Sequence, residues 1–235
     1  MIKELTTAKS PASAMNLAAR KGFSYIAGGT EINRLNSDAR VQKAVSIRKL
    51  PFDSIEKLEC EHDGQKHDKL RIGSLCTFEQ CILSDDVPED LKIALKYNSS
   101  LQKRNMATIG GNIAAARDDS YLIPTLAALN ANVVLFKREE PVGIIEYLKK
   151  RSGGDLIESV LIPLCKRRAF SYRISNTQAS HAIVTVSIGC CGDPGDFKLP
   201  IAVAAIKGYG IVELKGVEKE MASSGKIDPE KLRDT

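Results

Sequence analysis

Polar and apolar positions change period several times along the chain, and each change marks an element. Ser10-Pro11 opens a helix carrying Met15, Leu17 and Ala18. Serine can cap it, and proline at the first helical position gives up no needed N–H. Gly22 supplies a left-handed stop. Phe23 to Ala27 then reads as a short strand running straight into Gly28-Gly29-Thr30, and Ala44 to Ile47 as a second. Together these first 50 residues predict a compact α/β piece. The polar stretch 60–68, centred on Asp63-Gly64, predicts a hairpin or surface loop, with Leu70 to Gly73 as the returning strand. Thr77-x-x-Gln80 fits a capping box and opens a helix. A further helix is expected over Glu89 to Asn98, then a loop with two adjacent glycines from Arg104 to Asn112. Pro124 begins a helix through Leu129, followed by a strand (Ala131 to Lys137), a short helix (Ile144 to Lys150) and another strand (Leu156 to Pro163). Past Lys166-Arg167-Arg168, the best candidate boundary, Ala182 to Ile188 alternates in β fashion. The Asp193-Pro194-Gly195-Asp196 turn then returns Leu199 to Ile206 as a hairpin partner. From Val217 the chain is charged and helical in composition. This mixture predicts an α+β fold rather than regular βαβ alternation.

Composition narrows the classes. With 235 residues, 43% apolar and 27% charged, the chain has room for one to three domains and no sign of wholesale disorder. The net charge of +5 is too mild to imply a polyanion partner. Lys166-Arg167-Arg168 lacks interleaved aromatics, so no nucleic-acid partner is expected; a boundary loop or a contact to an acidic partner subunit fits it better. The longest clean apolar stretch, Ile201 to Ile206, is far short of a membrane span, and the start from Met1 to Leu5 has no apolar signal region. Six cysteines without a Cys-x-x-Cys pair read as reduced thiols of a cytoplasmic protein.

Two double-glycine segments carry the chemistry. One is Ile26-Ala27-Gly28-Gly29-Thr30-Glu31-Ile32; the other is Ala107-Thr108-Ile109-Gly110-Gly111-Asn112-Ile113-Ala114. Adjacent glycines admit positive φ and remove Cβ atoms, so backbone N–H groups can converge on an anion. A neighbouring threonine adds a donor to each. Either segment alone is equally a tight turn after a strand; two alike suggest a grip on the two halves of a pyrophosphate. No G-x-G-x-x-G or G-x-x-x-x-G-K-[ST] occurs, so neither a Rossmann site nor a P-loop is present. Cys60, His62 and His67 match no standard zinc spacing and read as a polar loop, so no metal site is expected. Asp85-Asp86 and Asp118-Asp119 read as solvated pairs, and no catalytic constellation stands out.

These segments resemble a known family. Tyr25 to Ile32 is similar to the first FAD loop of the molybdenum hydroxylase flavoproteins, the xanthine dehydrogenase and carbon monoxide dehydrogenase type. Arg104-Asn105-Met106-Ala107-Thr108-Ile109-Gly110-Gly111-Asn112 is similar to the second. Leu70 to Leu75 and Pro124 to Ala131 resemble the family's intervening strand and its following helix. Within it, the chain looks most like short FAD-binding subunits of bacterial xanthine dehydrogenase-like and selenate reductase systems. The resemblance implies an α+β fold: an FAD-binding domain over 1–165, in subdomains of about 1–52 and 53–165, and a C-terminal α+β domain over 166–235. The resemblance implies that this last domain is shortened, since the family usually continues past Asp228 to Thr235 into a further helix. It implies non-covalent FAD held by Tyr25, Ile26, Ala27, Gly28, Gly29, Thr30, Glu31, Ile32, Thr108, Ile109, Gly110, Gly111 and Asn112. Arg173 falls where members place a cation near the flavin ring; a solvated strand charge is the other reading. Ile157 falls where an apolar residue packs on the flavin, or simply in the core. Tyr121 stands where members often carry aspartate. The implied role is an electron-transfer subunit between an iron–sulfur small subunit and NAD or another acceptor, beside a molybdopterin-binding large subunit. The alternatives are a flavin-free scaffold subunit and a stand-alone flavin oxidoreductase.

Overall fold

The computed structural model describes residues 2–33, 41–62, 65–97, 100–164, 167–177, 180–191 and 198–224, the side chains of 60–62, 65–67, 198, 199 and 224 excepted. The elements run β1 (Glu4–Thr7), α1 (Pro11–Ala18), β2 (Phe23–Ile26), β3 (Lys43–Ser46), β4 (Ile55–His62), β5 (Gln65–Gly73), α2 (Phe78–Leu83), α3 (Glu89–Lys96), α4 (Leu101–Arg104), α5 (Ile109–Ala115) and α6 (Leu122–Ala128). They continue with β6 (Asn132–Leu135), β7 (Val142–Gly143), α7 (Ile144–Lys150), β8 (Ile157–Pro163), β9 (Arg167–Ile174), β10 (Val184–Cys191), β11 (Lys198–Ile206), β12 (Gly210–Glu213) and α8 (Lys215–Ser224). The fold is α+β, as the sequence pattern predicts.

Three sheets organise it. A parallel sheet, β1-β3-β2, carries α1. Two antiparallel sheets follow, ordered β4-β5-β8-β6-β7 and β12-β11-β10-β9. The expected capping box forms, with Thr77 N–H donating to Gln80 Oε1 at 2.7 Å, and Ser10, which accepts from Ser13 N–H, makes a second with Ser13. The first helix stops at Ala18, and Gly22, at φ +83°, turns the chain into β2 instead of ending the helix directly.

The main core sits between the five-stranded sheet and α2, α3, α5 and α6, with Leu70, Ile72, Phe78, Leu91, Leu95, Ile113 and Leu126 all fully buried. Ala169 and Val203 join it from the four-stranded sheet. A smaller core, around Ala14, Val45, Leu50 and Phe52, packs β3 and α1 against Leu75 and Leu156. The seam between the two cores is where the site lies.

Two expectations need correction. Arg167 and Arg168 do not lie in a boundary loop. They begin β9, where Arg167 is buried and donates to Ala128 O (3.1 Å), and Arg168 makes a two-point contact with Asp90 of its own chain (2.9 and 3.0 Å). Nor is Asp119 solvated; it is buried and ion-paired. The metal reading of Cys60, His62 and His67 concerns side chains outside the described residues, as does the turn at 193–196. Among the described residues no helix is long and apolar enough to cross a membrane. Cys76, Cys81 and Cys190 are free thiols, and burial pushes the Cys76 thiol up to about 11.

Candidate functional site

A cleft of about 280 Å³ opens where β2 ends, roofed by the first glycine segment and walled by the second. All eight residues from Tyr25 to Ile32 line it, as do Thr108, Gly110, Gly111, Asn112 and Ile157. Ile109 does not: it is fully buried in the main core behind the wall. The cleft is mainly apolar, with Leu75, Ala107, Leu156 and Ile157 among its walls.

The two glycine pairs do different physical work. In the first, Gly29 is at φ +71°, the left-handed conformation that favours glycine. Gly28 is required by close approach, because a Cβ there would lie 1.7 Å from Met106 O, at the entrance to the second segment. Gly28, Gly29 and Thr30 are left with backbone N–H groups that no backbone acceptor engages among the described residues. The second pair is no loop at all. It is the first turn of α5, capped by Thr108, whose Oγ1 accepts from Gly111 N–H at 3.1 Å. Its other amides are taken as well: Ile109 N–H goes to Cys76 O (3.0 Å) and Gly110 N–H to Ser74 O (2.9 Å). Gly110 is glycine because a Cβ would meet that of Ser74 at 2.5 Å. The expected second set of free amides is therefore spent on the fold; this segment offers a wall with little side chain.

Sequence reasoning missed the ion cluster at the mouth. Arg117 grips Asp119 through Nε (2.7 Å) and Nη2 (2.6 Å) and reaches Glu31 through Nη1 (3.0 Å). The bond to Asp119 holds the Arg117 guanidinium more firmly protonated than usual, with Glu31 adding to it. This cluster ties the first glycine segment to the chain leaving α5. Only the Asp118-Asp119 pair hinted at it, and reading that pair as solvated hid it. Tyr25 donates its hydroxyl to Gly154 O (3.2 Å), and burial, aided by Asp155, raises its pKa.

Arg173 is not brought to the cleft. It lies over the rings of Tyr97 (5.0 Å) and Tyr121 (5.3 Å) and donates to the Tyr121 hydroxyl at 3.1 Å. Tyr121, buried at the position expected to be acidic, donates in turn to Ser180 O (3.2 Å). Arg173 thus joins the end of α3, the start of α6 and β9. We expect Arg173→Met to lower stability by about 1–2 kcal/mol, from the lost cation–π and hydrogen-bond contacts, with FAD affinity within threefold of wild type. A shifted flavin potential at unchanged stability would instead return Arg173 to the flavin.

Comparison with known proteins bears on this geometry. The family model described as the FAD binding domain in molybdopterin dehydrogenase matches residues 2–165. The chain is 29% identical over 196 residues to the uncharacterized protein YgfM of Escherichia coli (strain K12), covering 83% of this chain and 70% of that one. Among solved structures it is similar to carbon monoxide dehydrogenase from Hydrogenophaga pseudoflava lacking the Mo-pyranopterin moiety of the molybdenum cofactor, with a TM-score of 0.82 at 17% identity, over 99% of this chain and 83% of that one. It is also similar to quinoline 2-oxidoreductase from Pseudomonas putida 86, with a TM-score of 0.78 at 16% identity, over 99% and 82%. The resemblance carried by the glycine segments, the fold and the matched span agree, and the chain belongs to the family of FAD-binding domains of molybdopterin dehydrogenases.

Proposed function

We propose that FAD occupies this cleft and that the chain is the FAD-binding electron-transfer subunit of a multi-subunit molybdenum hydroxylase. The observation that carries the reading is the row of amides at Gly28, Gly29 and Thr30 that no backbone acceptor engages among the described residues, on the wall of a mostly apolar cleft, in a chain of this family. The residues fit the group. Amides without a partner suit a pyrophosphate, and the side-chain-poor face at Gly110 and Gly111 lets a dinucleotide approach the backbone. Tyr25 to Ile32 hold the phosphates; Thr108 to Asn112 form the opposing wall, with Ile109 acting from behind; Ile157 packs against the apolar part. Bound FAD supplies one- and two-electron chemistry. The protein binds it, orients it and excludes water. Within the complex the chain stands between an iron–sulfur subunit and NAD or another acceptor, beside a molybdopterin-binding subunit. The division of labour assigns FAD to 1–165 and docking to 166–235, in the cytoplasm.

The test is reconstitution of the full chain with FAD. We expect one FAD per chain, with a flavin spectrum, released on denaturation as non-covalent attachment requires. No flavin spectrum and no heat on titration would overturn the reading in favour of a flavin-free scaffold.

A further inference from the structure

We infer that Arg117 is the cation that recognises the diphosphate of the bound dinucleotide, and that Glu31 occupies that cationic edge until the ligand displaces it. The inference rests on FAD lying in the cleft. Its starting point is a shortage of positive charge. A diphosphate at neutral pH carries two charges and several acceptor oxygens. The first glycine segment offers only neutral amides, those of Ala27 to Ile32 that engage no backbone acceptor among the described residues, whereas Ile109, Gly110 and Gly111 of the second have given theirs to Cys76, Ser74 and Thr108. The compensating charge must come from a side chain.

Among the described residues lining the cleft, Arg117 is the only cationic side chain. The carboxylates there are Glu31 and Asp155, and Asp155 already accepts from Ser152 N–H (2.8 Å) and faces Arg138 (4.0 Å). A guanidinium has five N–H donors in a fixed fork. Asp119 takes one from Nε and one from Nη2, and Glu31 takes one from Nη1. One proton on each terminal nitrogen remains.

The two carboxylates are not equivalent partners. Asp119 is almost wholly buried (4% side-chain exposure) and held at two points, so it fixes the guanidinium plane. Glu31 is 31% exposed, meets the guanidinium through Nη1, and sits on the glycine segment itself. A phosphate oxygen arriving at the Gly28–Thr30 amides competes with Glu31 for the Nη1 edge while Asp119 keeps its grip. Glu31 is thus an internal stand-in for the anion. It preorganises Arg117 in the empty protein and lowers affinity by the cost of its displacement.

The test measures FAD, ADP and riboflavin binding to the full-length wild type, Arg117→Met and Glu31→Gln. We expect Arg117→Met to weaken FAD and ADP by about 30-fold, as loss of a charge-assisted contact does, with riboflavin unchanged. Removing the cation leaves Asp119 buried without its main partner, so this variant can also unfold; Glu31→Gln avoids that. Glu31→Gln should tighten FAD and ADP by about threefold, again with no change for riboflavin. A Glu31→Gln variant that binds FAD and ADP as weakly as wild type, or more weakly, overturns the displacement. A folded Arg117→Met variant with wild-type FAD affinity overturns the cation's role and leaves FAD in the cleft. A wild type that binds neither FAD nor ADP overturns the functional reading itself.

Discussion

Gly28→Ala should abolish FAD binding and lower the stability of the whole chain. The added Cβ would fall 1.7 Å from Met106 O, 2.7 Å from Met106 C and 3.4 Å from Ala107 N, all backbone atoms. They cannot yield cheaply. Met106 and Ala107 N–H both bond Lys103 O, at 3.0 and 2.7 Å, and Ala107 O accepts from Phe78 N–H at the start of α2. The first glycine segment must therefore move away from the second, which opens the roof of the cleft. Overpacking against rigid backbone costs on the order of 3 kcal/mol. Gly22→Ala is the comparison. Its φ is +83° but nothing lies within 4 Å, so it bears only conformational strain of about 1–2 kcal/mol. Flavin fluorescence titration and thermal unfolding separate the two: Gly22→Ala keeps stoichiometric FAD, and Gly28→Ala loses it. Stoichiometric FAD in Gly28→Ala, with an unchanged Tm, would contradict the close approach of the two segments.

The contrast between Gly28 and Gly110 shows what the sequence does and does not reveal. Both glycine pairs were legible as special, and the first behaves as a turn with amides to spare. The second reads the same way locally, yet Thr108 caps it into a helix and tertiary partners at Ser74 and Cys76 take its amides. Those partners lie more than thirty positions away, which no local pattern reports. Arg117 was hidden for the same reason, since its meaning comes from Glu31, 86 residues earlier. Periodicity found α7 with the bounds it has, and most of β2, β3, β8, β10 and β11. It missed β1, α4, β7 and β12, each of four residues or fewer, too short to establish a period; it also read the start of α5 as a loop and gave no bounds for the eight-residue β9. Arg173 was placed on a strand correctly, but its destination depended on two tyrosines from separate helices. Elements are written locally here, whereas the partners of charged side chains are set by packing.

That distinction yields the second large effect, at Gly189. This residue lies in β10, opposite Ala169 on one side and Ile201 on the other, where the four-stranded sheet crosses α6. A Cβ would meet Ala128 O at 2.0 Å and Ala128 C at 2.6 Å, at the last residue of the helix. The same carbonyl accepts from Arg167 Nη1, so displacing the sheet also strips a buried guanidinium of an acceptor. Nearby, Thr125, Ser171 and Ser187 share a hydroxyl cluster across the same contact, with 2.7 Å from Ser171 to each of the other two. The two bonds from Thr125 on α6, to Ser171 and Ser187, stretch together when the sheet lifts, so the damage is not confined to one atom pair. Gly189→Ala should cost on the order of 3 kcal/mol and lower Tm by about 6–12 °C. Limited proteolysis should cut first within 167–224. FAD affinity measured well below Tm should stay near that of wild type, because every described residue lining the cleft precedes Glu158. Loss of FAD without loss of Tm would show instead that the four-stranded sheet shapes the cofactor site directly.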